Sequence, residues 1–120
     1  MFSLALEPEL AAQLQHDAYR RGVTVIEVGE AQVARAFGQH IALAAPMREV
    51  DLEQVGPPPE RTVLRLRMSL ADRVIDEARA RDITYSAYLA HLLRCAYGRP
   101  SDVPEPVRPV PYQQELVMGA

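Results

Sequence analysis

The chain has 120 residues, of which 48% are hydrophobic and 24% charged, with a formal net charge of −3. This is the composition of one ordinary globular domain, and it excludes disordered and fibrous classes. Three histidines at no metal-ligand spacing, a single cysteine, and neither a phosphate-cradling glycine loop nor a nucleophile elbow argue against an enzyme and against any metal or cofactor.

In chain order, FSLAL at residues 2–6 reads as a strand. Pro8 follows where a first helical turn tolerates proline, and Leu10, Leu14 and Ala18 make the apolar stripe of a helix ending before Gly22. Thr24, with Glu27 three residues on, forms a capping-box pattern for a second helix holding Val28, Val33 and Phe37 and closing at Gly38. Residues 39–60 follow, with the stiff extended run Pro57, Pro58 and Pro59. RTVLRLRM at 61–68 then alternates as a half-buried strand, with Thr62, Leu64 and Leu66 on one face. Ser69 can cap a helix with the stripe Leu70, Val74 and Ala78, and a turn falls at Asp82 and Ile83. Thr84 can cap a last helix through Tyr88, Leu89, Leu92, Leu93 and Tyr97, stopped by Gly98, Arg99 and Pro100. Cys95 is expected to be a buried residue of that helix rather than a nucleophile. Residues 99–120 read as a proline-rich, mobile tail.

The chain repeats itself at an offset of sixty residues without a gap. Leu4, Leu6, Leu10, Leu14, Ala18, Thr24, Val33 and Gly38 fall on Leu64, Leu66, Leu70, Val74, Ala78, Thr84, Leu93 and Gly98. The units, residues 1–38 and 61–98, each read as strand, helix, helix. Neither can easily bury enough surface to fold alone, so the two are expected to pair within the chain, with the tether holding each at roughly millimolar concentration beside the other.

Strand, helix, turn and helix, with LRLRMSLADRVIDEA and DITYSAYLAHLL in the second unit, resembles the ribbon-helix-helix family of Arc/MetJ/CopG-type DNA-binding proteins, here in two tandem copies. The resemblance covers about two-thirds of the chain and is weaker in the first unit, where Gly29 stands in the place of Leu89. It implies a mainly α fold with a two-stranded antiparallel β-ribbon, a tandem ribbon-helix-helix forming an intramolecular pseudo-dimer. In that family the ribbon enters the major groove of double-stranded DNA while four helices form the core. A single-chain arrangement is also seen in TraY-like proteins of conjugative plasmids.

With the even-numbered residues packed inward, Arg61, Val63, Arg65 and Arg67 of one strand and Ser3, Ala5 and Glu7 of the other are expected to face out. Arg65, at the centre, can donate bidentately to guanine, Val63 and Ala5 can meet thymine methyls, Ser3 can bond to a base, and Glu7 opposes DNA unless it meets cytosine. Arg61 and Arg67 lie nearer the ribbon ends, within reach of phosphate. Thr84 with the free N–H groups of Tyr85 and Ser86 forms an anion site of the kind with which family members clamp phosphate. Thr24 takes the same place in the first unit, with the Glu27 carboxylate beside it. Plainer roles exist for both sets: arginines keep a strand edge soluble, and threonines cap helices. Charge separates the readings. Residues 61–100 carry +4, against −2 for residues 1–38, −3 for 39–60 and −2 for 101–120.

The expected function is therefore a sequence-specific DNA-binding protein, foremost a transcriptional repressor, working without a cofactor. An accessory protein of a conjugative relaxosome or of plasmid maintenance would use the same contacts. An antitoxin-like interaction module would instead grip a protein partner through the tail VPYQQELVM. Proline breaks any helix before Tyr112 there, and Tyr112, Leu116 and Val117 can equally pack on the protein's own core. A second copy on an adjacent DNA subsite is compatible with the first two readings. Apolar runs too short to cross a bilayer, and acid where a signal peptide carries basic residues, lead to the expectation of a cytoplasmic protein without membrane contact.

Overall fold

Helix starts and stops are set by local chemistry that recurs sixty residues later. The computed structural model describes residues 2–46 and 60–107. The Pro57–Pro59 run and the tail residues Tyr112, Leu116 and Val117 lie outside them. Strand β1 is Phe2–Leu4, helix α1 Pro8–Arg21 and helix α2 Val25–Ala36; strand β2 is Thr62–Leu64, helix α3 Met68–Ala80 and helix α4 Tyr85–Ala96. Each element of the first half meets its counterpart at the same sixty-residue offset, with α3 one residue shorter than α1.

Pro8 opens α1, where its missing N–H costs nothing. Gly22 closes it in the left-handed region at φ 65°, and the Val23 N–H reaches back to the Ala18 carbonyl. In the second half Asp82 holds the same conformation at φ 55°, which a short polar side chain tolerates better than most. The capping box expected from sequence is present: the Glu27 N–H donates to Thr24 Oγ1 at 3.1 Å, and the Thr24 N–H donates to Glu27 Oε2 at 2.8 Å. Thr84 caps α4 through the Ala87 N–H, and alanine at that position leaves the box half-made. Ser69 does not cap α3. The helix begins two residues earlier than a cap at Ser69 would set it, at Met68, and Arg67 takes the N-cap place without a side-chain cap.

The strands are shorter than the alternating sequence implied. Residues 5–7 and 65–67 leave the ladder because Glu7 and Arg67 must turn the backbone into α1 and α3. Inside the ladder the strands run antiparallel, with Phe2 opposite Leu64, Ser3 opposite Val63 and Leu4 opposite Thr62. The central pair, Ser3 and Val63, consists of residues sixty positions apart.

The core is shared evenly. Leu4, Leu10, Leu14, Val28 and Val33 from the first half, and Leu64, Leu70, Val74, Leu89 and Leu93 from the second, are its largest fully buried side chains. Helices α2 and α4 pack on each other, α1 on α2 and α3 on α4; β2 lies against α2 and β1 against α4. Each second helix therefore covers the other half's strand. Gly29 of α2 makes this close approach possible, because a Cβ there would fall inside Leu64 Cδ2.

Beyond each second helix the chain returns along its own hairpin. Leu43 and Val103, again sixty apart, pack against the core. Arg21 Nη1 donates to the Ala44 carbonyl at 3.0 Å, and the Val107 N–H donates to the Ala80 carbonyl at 2.6 Å. Residues 99–107, assigned to the tail from sequence, thus lie against the hairpin of α3 and α4, where Ser101 also hydrogen-bonds with His91.

Gly29→Ala in a helix interior would ordinarily gain about 1 kcal/mol. Here it is expected to cost about 1–3 kcal/mol by overpacking Leu64, and Leu64→Val in the same chain should recover part of the loss. Urea denaturation of the two single variants and the double variant measures the coupling.

Candidate nucleic-acid interface

The solvent face of the ribbon holds Ser3, Ala5, Arg61, Val63 and Arg65, all exposed as alternation requires. They are not equally available. The Arg61 guanidinium lies across the ribbon, donating from Nε to Ser3 Oγ at 2.8 Å and from Nη2 to the Ser3 carbonyl at 2.9 Å. Ser3 is thus engaged by Arg61, and because Ser3 is neutral the Arg61 charge has no carboxylate partner among the described residues. Arg65 makes no hydrogen bond or ion pair with any described residue. Expected at the centre of this face, it is instead the first residue beyond β2: the short ladder is centred on Ser3 and Val63, and Arg61 and Arg65 flank its two ends.

Two residues expected on this face take ion-pair partners within the fold. Glu7 was expected to point outward with Ser3 and Ala5. It forms a bidentate pair with Arg94 of α4, at 2.8 and 3.2 Å from Nε and 3.0 Å from Nη2. The hydrogen bonds from Arg94 hold its carboxyl below the usual carboxylate range. The reason is the turn into α1: at the N-cap the alternation of an extended strand no longer applies. Arg67, the equivalent residue of the second half, donates its backbone N–H to Glu30 Oε2 at 2.7 Å, and its guanidinium lies 3.5 Å from Glu30 Oε1. Its side chain stays half exposed, but its charge is matched.

Both second helices bring their N-termini to the ribbon. On one side the exposed Tyr85 ring meets Phe2 of β1 edge-on, with centroids 5.1 Å apart, which ties the start of α4 to β1. Thr84 is exposed, its hydroxyl occupied by the Ala87 N–H. The N–H groups of Tyr85 and Ser86 stand in the first turn, where no helical carbonyl can accept from them, and no acidic residue occupies that turn. On the other side Thr24, Val25 and Ile26 border a shallow cleft of about 280 Å³ with Arg61, Thr62 and Val63. There the Glu27 carboxylate folds over the helix end and answers the Thr24 N–H itself. One helix end is therefore open to an anion, and the other carries its own.

The positive charge of the second half is also partly matched internally: Arg67, Arg81 and Arg94 face the carboxylates of Glu30, Glu77 and Glu7. Arg99 donates to the neutral Gln13, and Arg73 lies over the Phe37 ring. At the ribbon this leaves Arg61 and Arg65 without a carboxylate partner among the described residues. Among the described residues no group of three histidine, cysteine or acidic side chains could hold a metal, and no helix is long and apolar enough to cross a membrane. Cys95 is exposed rather than buried, because it lies two residues past Leu93, on the far side of α4 from the core.

No family model, curated protein or solved structure matches the chain.

The Glu7–Arg94 pair gives a signed pH dependence. A carboxyl whose folded pKa lies below its ordinary value of 4.5 adds stability above that pH, and the contribution is lost as pH falls through the folded value. Denaturation midpoints measured through this acid range should fall in the wild type and be flatter in Glu7→Gln.

Proposed function

We propose that the chain is a single-chain ribbon-helix-helix protein, in which two tandem units form an intramolecular pseudo-dimer that binds DNA in a sequence-specific way as a transcriptional repressor. The observation that carries the reading is the exposed ribbon face, bordered by two helix N-termini, where Arg61, Val63 and Arg65 stand exposed and Arg65 has no hydrogen-bond or ion-pair partner among the described residues. A two-stranded ribbon fits the major groove, and an arginine there can donate to guanine O6 and N7 together. The open N-terminus of α4 is suited to a phosphate oxygen, fixing the ribbon's register on the duplex. The strand pairing supports the pseudo-dimer: its central residues, Ser3 and Val63, are the ones that the repeat relates, as a two-fold axis through the ribbon would require. Binding on this reading uses no cofactor.

The two strands are chemically unlike, so the contacted subsite is non-palindromic. Its strongest, guanine-containing positions lie under Arg65, and weaker preference lies under Ala5. The α4 end supplies the phosphate clamp through Thr84, Tyr85 and Ser86; at the α2 end, Thr24 with Glu27 contributes less.

Capture of fragmented genomic DNA by the purified chain, at a fixed salt concentration near 100 mM, is expected to enrich one short asymmetric sequence. Absence of enrichment, or a perfect short palindrome, would overturn the reading. Arg65→Ala should cost about 1–3 kcal/mol on the enriched sequence and little on random DNA. Arg61→Ala should weaken both alike and reduce the salt slope by about one unit.

A further inference from the structure

The contacts that join the two halves are not the same on the two sides of the repeat. Glu7 and Arg67 occupy equivalent places, sixty residues apart, yet carry opposite charges, and each faces its opposite on the other half's second helix. Glu7 meets Arg94, whose counterpart in the first half is Ala34; Arg67 meets Glu30, whose counterpart in the second is Ala90. Further along, Arg99 donates to Gln13 Oε1 at 2.7 Å and the Tyr97 hydroxyl donates to Asp17 Oδ2 at 3.1 Å. At the equivalent place the Arg73 guanidinium stacks 4.5 Å above the Phe37 ring.

The same positions can be carried onto a pair of like halves. Two first units would set Glu7 against Glu30. Two second units would set Arg67 against Arg94 and Arg99 against Arg73, and would press Leu64 onto Leu89, where only Gly29 leaves room. Like charges at such positions repel by about as much as opposite ones attract, and the steric conflict adds to them.

We propose that these side chains form a pairing code, by which each unit accepts the unlike unit and rejects a copy of itself from another chain. The code rests on the tandem reading above but not on DNA binding. It keeps the ribbon a hybrid of β1 and β2, since an exchange of like units between chains would produce two symmetric ribbons with different faces.

The full-length chain with Cys95→Ala and Ser3→Cys reports the forbidden pairing, because residue 3 meets residue 63 within a hybrid ribbon and meets another residue 3 only between first units. With native charges, a short thiol crosslinker is expected to leave this chain monomeric. Adding Glu7→Arg and Arg67→Glu sets like charges together within the chain and opposite charges between like units. Crosslinked dimer should then rise about ten-fold. The melting temperature should fall by roughly 5–10 °C. Adding Glu30→Arg and Arg94→Glu as well restores opposite charges within the chain and should reverse both changes. Unchanged crosslinking and melting in the first exchange, or no recovery in the second, would overturn the code. Ser3→Cys with Val63→Cys in the same background separates the two ideas. It crosslinks within one chain if the tandem reading holds, and its failure to do so overturns that reading rather than the charge assignment alone.

Discussion

Leu64 resting on Gly29 is the contact on which the rest of the molecule depends. A strand of three residues has too little surface to form a core, and a helix hairpin covers only one side of itself. By laying the inward leucine of β2 beneath α2, and β1 beneath α4, the fold makes each half complete the other's interior. Four of the five large side chains that each half contributes are related by the repeat, namely residues 4, 10, 14 and 33 with 64, 70, 74 and 93. The remaining ones, Val28 and Leu89, are offset by one position because Gly29 gives up its side chain to admit Leu64. The asymmetry of the domain starts at that missing side chain.

Charge follows the same division. The second half has twice as many basic as acidic residues between 61 and 100, but several of those cations face inward obligations. Arg94 and Arg67 answer carboxylates of the first half, Arg81 answers Glu77 beside the Tyr88 ring, and Arg73 covers Phe37. The Tyr97 hydroxyl, on a half-buried ring, joins this network: partial burial and the neighbouring Asp17 raise its pKa, so it remains a proton donor. Net charge by segment therefore overstates what is offered to an anionic partner. The ribbon face is distinguished by which arginines are left over, and Arg65 is the clearest of them.

Much of this was readable in the sequence because it depends on local rules. The strand–helix–helix order, the Thr24 and Thr84 caps, the stop at Gly98 and the inward Leu64 follow from periodicity and capping chemistry that act within a few residues. What was not readable depends on partners distant in the chain. Glu7 looked outward by alternation, yet Arg94 lies 87 residues away. Arg61 looked free, yet Ser3 takes its guanidinium across the ribbon. Cys95 was placed in the core by residue type, whereas the phase of the helix sets it outside. Opposite charges at the equivalent positions 7 and 67 were visible in the sequence, but their partners Arg94 and Glu30 stand where the other unit has Ala34 and Ala90, so comparing the units position by position does not reveal the facing pairs.

The exposure of Cys95 has a practical side. It is the chain's one thiol, and it sits near the end of α4. Tyr85, at the other end, touches the ribbon; ten residues of helix separate them, a distance of about 15 Å. A sensor surface or a fluorophore joined to that sulfur would hold every molecule in one orientation with the ribbon turned away from the attachment, and the natural sequence would need no alteration.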